Sequence, residues 1–246
     1  MTLRVRSLAD DPALVGALDG ADADGFPHFL LQDPVWDTCF AAALEQSPEL
    51  QLFLLDDDDE VVAIANSVGI AWDGSPDHLP AGTHAAMLQA RDDVGAGRAD
   101  TLCLVQVLTL GASRGGGRAA AVAQATKDLA GRLGWRHVSP IRCSLKDRYP
   151  LIPLADYVHW TRDDGSVFDP WLRVQVREGG SIVKVCEDSL VIEGGVAAWQ
   201  AWTGLEFPGP GQYVIPGGQV PLEIDAQRAQ GLYSEPHVWV VYGTDD

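Results

Sequence analysis

Hydrophobic positions along the chain fall into short strand-like runs separated by polar turns, and only a few stretches carry a helical period. Residues 3–7 predict a first short strand, and the Asp/Gly/Ala-rich segment to Gly25 a loop or weak helix. In PVWDTCFAAALEQ, Val35, Trp36, Cys39, Phe40 and Ala43 share one helical face, with Asp33 as N-cap and Pro34 at the first helical position. This predicts a helix over about 34–46 that ends near Pro48. QLFLL and VVAIANSVGIAW flank the acidic turn DDDDE and read as a hairpin. The five adjacent acids repel one another and lack the alternating ligands and glycine of a calcium loop, so the turn is read as solvated. A helix over about 81–95 follows.

The central unit runs from Leu102 to Pro150. LCLVQVLTL is nearly all apolar, as a strand buried on both faces should be. GASRGGGRAAA then opens a helix over 117–133, with Val122, Ala125, Leu129 and Leu133 toward the core and Gly134 as its stop. His137–Cys143 predicts the next strand, with Pro140 marking a bulge or an edge. Beyond Pro150 the pattern is irregular. A helix is expected after Asp169, strands at SIVKVC and SLVIEG, a short helix at VAAWQAWTG, turns through GPGQYVIPGG, and a last strand at PHVWVVYG. No repeat or linker divides residues 1–246, so a single domain is expected, with a core over about 1–150 and an elaboration over 151–246.

Composition narrows the partners. The formal charge is −18, from 35 acidic and 17 basic residues, which argues against nucleic acid or an anionic membrane. Between Arg114 and Arg148 the balance reverses to eight Lys/Arg against two Asp/Glu, an island suited to a phosphate-bearing ligand. Four scattered cysteines form no CxxC pair, so neither a zinc ribbon nor a redox motif is expected. The N-terminus lacks an apolar signal-like run and no segment reaches a membrane span, so a soluble, cytoplasmic protein is expected.

A glycine turn between strand and helix presents backbone N–H groups at a helix N-terminus, where the dipole favours an anion. A Walker A loop is absent. A dinucleotide fingerprint through Gly115, Gly117 and Ala120 lacks its ribose-binding acid, because the following strand ends in Arg142 and Cys143. Arg114-Gly115-Gly116-Gly117-Arg118-Ala119 instead fits R/Q-x-x-G-x-G/A. In this position, and with this order of elements, the chain resembles the GNAT acyltransferase superfamily, and within it divergent bacterial members with a long C-terminal region.

The resemblance implies an α/β (α+β) fold with a mixed, splayed central sheet flanked by helices. It also implies an acyl-CoA, acetyl-CoA or another, as co-substrate, with no metal. Arg114 to Ala119 would hold the pyrophosphate, while Leu108, Thr109 and Leu110 would lie along the pantetheine arm. Gly111 replaces the proline common before the loop. The Asn and Tyr-x-x-x-Gly-Phe close is not evident; PIRCSLKDRYPLIP stands there instead.

Transfer of an acetyl or short acyl group to a small-molecule amine or other acceptor is the leading expectation. Decarboxylation of a malonyl- or methylmalonyl-CoA, with Arg142 orienting the carboxylate, is the second. Non-catalytic acyl-CoA binding is the third. Transfer needs a base for the amine and an acid for the thiolate. Tyr149 is the candidate acid by resemblance, although a packed aromatic is an equally ordinary role. Arg142 in a strand calls for an anionic partner. Lys146 is a candidate for the 3′-phosphate. His137, like His28 and His159, is a candidate base. A homodimer is compatible with this reading.

Overall fold

The computed structural model describes residues 3–19, 21, 26–110, 117–225 and 227–243. Its centre is a nine-stranded sheet. Strands β1 (Arg4–Ser7), β2 (Gln51–Leu55), β3 (Val61–Ile70) and β4 (Thr101–Thr109) form an antiparallel ladder in that order. Strand β5 (Arg136–Ile141) joins β4 in parallel. The crossover between them is α3 (Arg118–Leu133), the connection that a parallel pair requires. The last strand, β9 (Gln230–Tyr242), is antiparallel to β5 through Val238–Tyr242. The same residues of β9 pair with β6 (Gly180–Gly195), which therefore lies along its other edge. Past the end of β5, the first half of β9 pairs with β8 (Leu222–Asp225), and β8 with β7 (Gly211–Tyr213).

Helices α1 (Pro34–Gln46) and α2 (Thr83–Gly95) cover one face. Ala86 and Ala90 of α2 pack with Val68, Ile70, Cys103, Val138 and Trp239, and Leu44 of α1 packs near Phe53, Ile64 and Leu108. The opposite face takes α3, whose Val122, Ala125, Leu129 and Ala130 meet Leu52, Leu54, Ala65 and Leu104. It also takes α4 (Leu154–Tyr157) and α5 (Pro170–Arg177), whose Leu154, Tyr157 and Leu172 pack on Ile141, Val238 and Val240. A further cluster, around Trp199 of α6 (Val196–Thr203), joins the outer halves of β6 and β9 to β8.

The caps behave as their chemistry demands. Asp33 accepts the Val35 and Trp36 amides, Asp169 accepts those of Trp171 and Leu172, and Gly134 closes α3 in the left-handed region at φ 68°. Three expectations change. The runs SIVKVC and SLVIEG belong to one strand, β6, which stays paired through irregularities at Ile182/Lys184 and Cys186/Leu190. The last strand begins at Gln230 rather than Pro236, because Leu232 and Tyr233 pair with β6 as the later residues do. The turn-rich GPGQYVIPGG contains the short β7. All four cysteines are buried free thiols.

Candidate active site

The parallel pair β4/β5 is hydrogen-bonded only from Thr101–Arg136 to Cys103–Val138. Beyond that point the strands part. Ser139 sits at the fork and turns its hydroxyl onto the Leu104 carbonyl (2.7 Å), supplying the donor that a neighbouring strand no longer provides. Just past it, β4 carries a bulge opposite Asn66/Ser67, so Gln106 pairs with Asn66 and Leu104 with Ser67. Pro140, which lacks an N–H, falls where β5 has already lost β4 as a partner.

The open end of the fork meets the N-terminus of α3. Arg118 donates to the Leu110 carbonyl (2.7 Å) and ties the helix start to the end of β4. Among the described residues no side chain caps this helix. Gly117 precedes it at φ 77°, with nothing within 4 Å of where a Cβ would stand. An uncapped 16-residue helix behind a glycine in the left-handed region is chemically suited to a pyrophosphate. Leu108, Thr109, Leu110, Gly117, Arg118 and Ala119 thus share one corner; Arg114, Gly115 and Gly116 lie outside the described residues.

On the α1/α2 face, a polar chain occupies the end of β5. Arg142 binds Glu235 of β9 through Nε–Oε1 (2.6 Å) and Nη2–Oε2 (3.1 Å), and donates to the Gly217 carbonyl (2.9 Å). Glu235 is fully buried and also receives the Tyr233 hydroxyl. His237 Nε2 lies 3.2 Å from Glu235 Oε1, and its Nδ1 lies 2.8 Å from Thr83 Oγ1 at the start of α2. Ser189 of β6 takes the Thr83 amide (2.9 Å). Burial alone would raise the Glu235 pKa, but Arg142 and His237 outweigh it and hold the carboxyl down at about 2. Burial likewise disfavours the Arg142 cation, and Glu235 more than restores it. Beside this chain, His84 donates from Nε2 to Asp33 (2.6 Å), because its Nδ1 accepts the Val191 amide (3.4 Å).

Several expected residues are placed elsewhere. Arg142 is not an open receptor for a substrate carboxylate, since Glu235 already binds it at two nitrogens. His137 lies at the closed end of the fork, opposite Leu102, stacked on Tyr242 with ring centroids 4.1 Å apart. Burial pushes its pKa down to about 3, so the ring is neutral, but it lies away from the fork's opening. Lys146 is buried and donates to the Tyr149 and Gln219 carbonyls (2.9 and 2.6 Å), which removes it from any phosphate at the surface. Tyr149 is half-buried beyond β5, edge-on to Trp160 and Phe168. Among the described residues no cluster of His, Cys, Asp or Glu is arranged for a metal ion.

No family model matches the chain. An arginine N-acetyltransferase from Aspergillus versicolor is 30% identical over 247 residues, spanning 88% of this chain and 84% of that protein. The chain belongs to the GNAT acyltransferase superfamily. It is a GNAT-type acyltransferase, and enzymes of this superfamily use an acyl-CoA as co-substrate. Two solved structures share the architecture over 98% of both chains. The loading GNAT-like domain of CurA from Lyngbya majuscula superposes with a TM-score of 0.59 at 15% identity. The GphF GNAT-like decarboxylase, in complex with isobutyryl-CoA, gives 0.57 at 18%. At such identities the likeness is one of fold.

Proposed function

We propose that this chain transfers an acetyl or other short acyl group from its coenzyme A thioester to the nitrogen of a small, cationic amine of the arginine type. The observation that carries this reading is the fork: two adjacent parallel strands that separate after three shared positions, with the uncapped start of α3 at the open end. Gly117 to Ala119, together with Arg114 to Gly116, bind the pyrophosphate, while Leu108 to Leu110 run beside the pantetheine arm. The thioester then enters from the α3 side, which leaves the α1/α2 face for the acceptor. The acceptor nitrogen forms an amide bond to the acyl carbon as the C–S bond breaks. The ammonium form gives a first proton to solvent before it attacks; the proton lost by the nitrogen as the amide forms is balanced by one gained by the leaving thiolate, and Tyr149, beyond β5 on the α3 side, is the candidate acid for that step.

The cationic acceptor is supported by the relative's arginine substrate and by a charge of −24 outside the basic Arg114–Arg148 island. The engagement of Arg142 by Glu235 favours transfer over decarboxylation, for which a free cation is wanted at the carboxylate. The test is acceptor-dependent release of thiol from acetyl-CoA, with arginine and agmatine as acceptors. Tyr149→Phe is expected to lower kcat by tenfold or more with the KM for acetyl-CoA unchanged; unaltered kcat removes Tyr149 from the reaction.

A further inference from the structure

A row of three carboxamides crosses the sheet at the level of the fork. Gln51 on β2 stands opposite Asn66 on β3, and Asn66 stands opposite Gln106 on β4. All three face α1 and α2. Asn66 alternates with Ile64 and Val68, and Gln51 lies two residues from Phe53, all of which pack on that side. Asn66 donates through Nδ2 to Gln106 Oε1, and Gln51 donates through Nε2 to the Ser47 and Ser67 carbonyls (3.0 and 2.9 Å). The nitrogens of Asn66 and Gln51 are therefore engaged, and two acceptors are left. Gln51 Oε1 and Asn66 Oδ1 are fully buried and accept no hydrogen bond among the described residues.

Such an arrangement is costly as pure structure, since a buried carbonyl without a donor forfeits its hydration. Gln51 opens the apolar strand QLFLL, and Asn66 and Gln106 interrupt the largely apolar VVAIANSVGI and LCLVQVL, where leucine or valine would pack without loss. The row leads to the fork. Gln106 lies three residues past Cys103, the last residue of β4 paired with β5, on the bulged segment. Arg142 and Glu235 lie on the same face of the next two strands, and they are already neutralised by each other. The polar belt thus offers unpaired carbonyl acceptors and no unpaired cation, which selects for a ligand rich in N–H groups.

We infer that Asn66 Oδ1 and Gln51 Oε1, with Gln106 holding the Asn66 carboxamide in place, accept from the nitrogen-rich cationic group of the acceptor, a guanidinium or an ammonium. This rests on the reading of the α1/α2 face as the acceptor side and names the contacts that would make it selective. A guanidinium presents five N–H donors in a plane and can serve more than one carbonyl of the row.

The test is calorimetric binding of L-arginine to the full chain in the presence of saturating CoA, where no turnover occurs. The wild-type protein is expected to bind, and Asn66→Leu and Gln106→Leu to bind roughly tenfold to a hundredfold more weakly. CoA affinity is expected to stay unchanged in both. Equal arginine affinity in the variants, or no arginine binding by the wild type, overturns the assignment. If Asn66→Leu fails to fold, Gln106→Leu, at the more accessible end of the row, carries the test alone. The outcome is separable from the proposed reaction: transfer to other amines without arginine binding sinks the row and leaves the activity. Arginine binding that depends on Asn66 without transfer sinks the activity and leaves the row.

Discussion

Glu235 ties together elements from both halves of the chain. It is fully buried, and it joins β9 to the end of β5 through Arg142 and to α2 through His237 and Thr83. Glu235→Gln leaves the Arg142 cation without its counter-charge, at a cost of about 3–5 kcal/mol. A fall in Tm on the order of 10 °C is expected by calorimetry; an unchanged Tm means that the pair carries no net stability. The pH dependence has a definite sign. The folded carboxyl sits at about 2, below its ordinary 4.5. Its contribution is therefore complete above about pH 4.5 and is lost as the pH falls toward 2. The Gln variant should show a shallower loss of stability across that window in acid denaturation; an identical acid limb would contradict the assignment.

At the scale of elements, the seating of α2 against β6 and β9 decides whether the α1/α2 face keeps its shape. Gly82 precedes α2 with its Cα so close to Ser189 that an added Cβ would stand 2.2 Å from the Ser189 Cα. The backbone there is extended, so the constraint is contact and not conformation. Gly82→Ala must push the start of α2 away, at roughly 1–3 kcal/mol, and should part Thr83 from His237. A lower Tm is expected, along with a changed His237 ring resonance; neither would change if α2 were free to slide. Gly117→Glu acts at the other helix. It places a side chain at φ 77° and a carboxylate where the pyrophosphate is proposed to bind. CoA affinity should fall at least tenfold, while Tm falls by only a few degrees from the left-handed strain, since an acid near a helix start does not itself destabilise it. Undiminished affinity would remove the α3 N-terminus from the site.

These elements also show what the sequence makes visible. Helix α1, the β2/β3 hairpin, β4 and α3 are legible because caps, glycines and apolar runs are local signals. The two-armed role of β9 is not, because Gln230–Glu235 carries a mixed pattern whose pairing is decided by β6, about 40 residues earlier. The glycine loop points to a phosphate ligand from the residues alone. The Arg142–Glu235 pair does not, since nothing local relates residues 93 positions apart. One clue does exist: a glutamate, a histidine and three carboxamides set within apolar strands mark positions where a partner is required.

Across the whole molecule, the sheet brings two chemically distinct surfaces to one fork. The α3 side carries Gly117 and the uncapped start of α3, and the α1/α2 side carries the polar belt, in a chain whose charge outside the basic island is −24. No helix among the described residues is long and apolar enough to cross a membrane. The central claim is acyl transfer to an amine at that fork. The most direct measurement is mass spectrometry of the products formed from acetyl-CoA and L-arginine, beside a reaction of malonyl-CoA without acceptor. The account predicts N-acetylated arginine with matching release of CoA thiol, and no CO2 from malonyl-CoA. Release of CO2 without any acylated amine would contradict it.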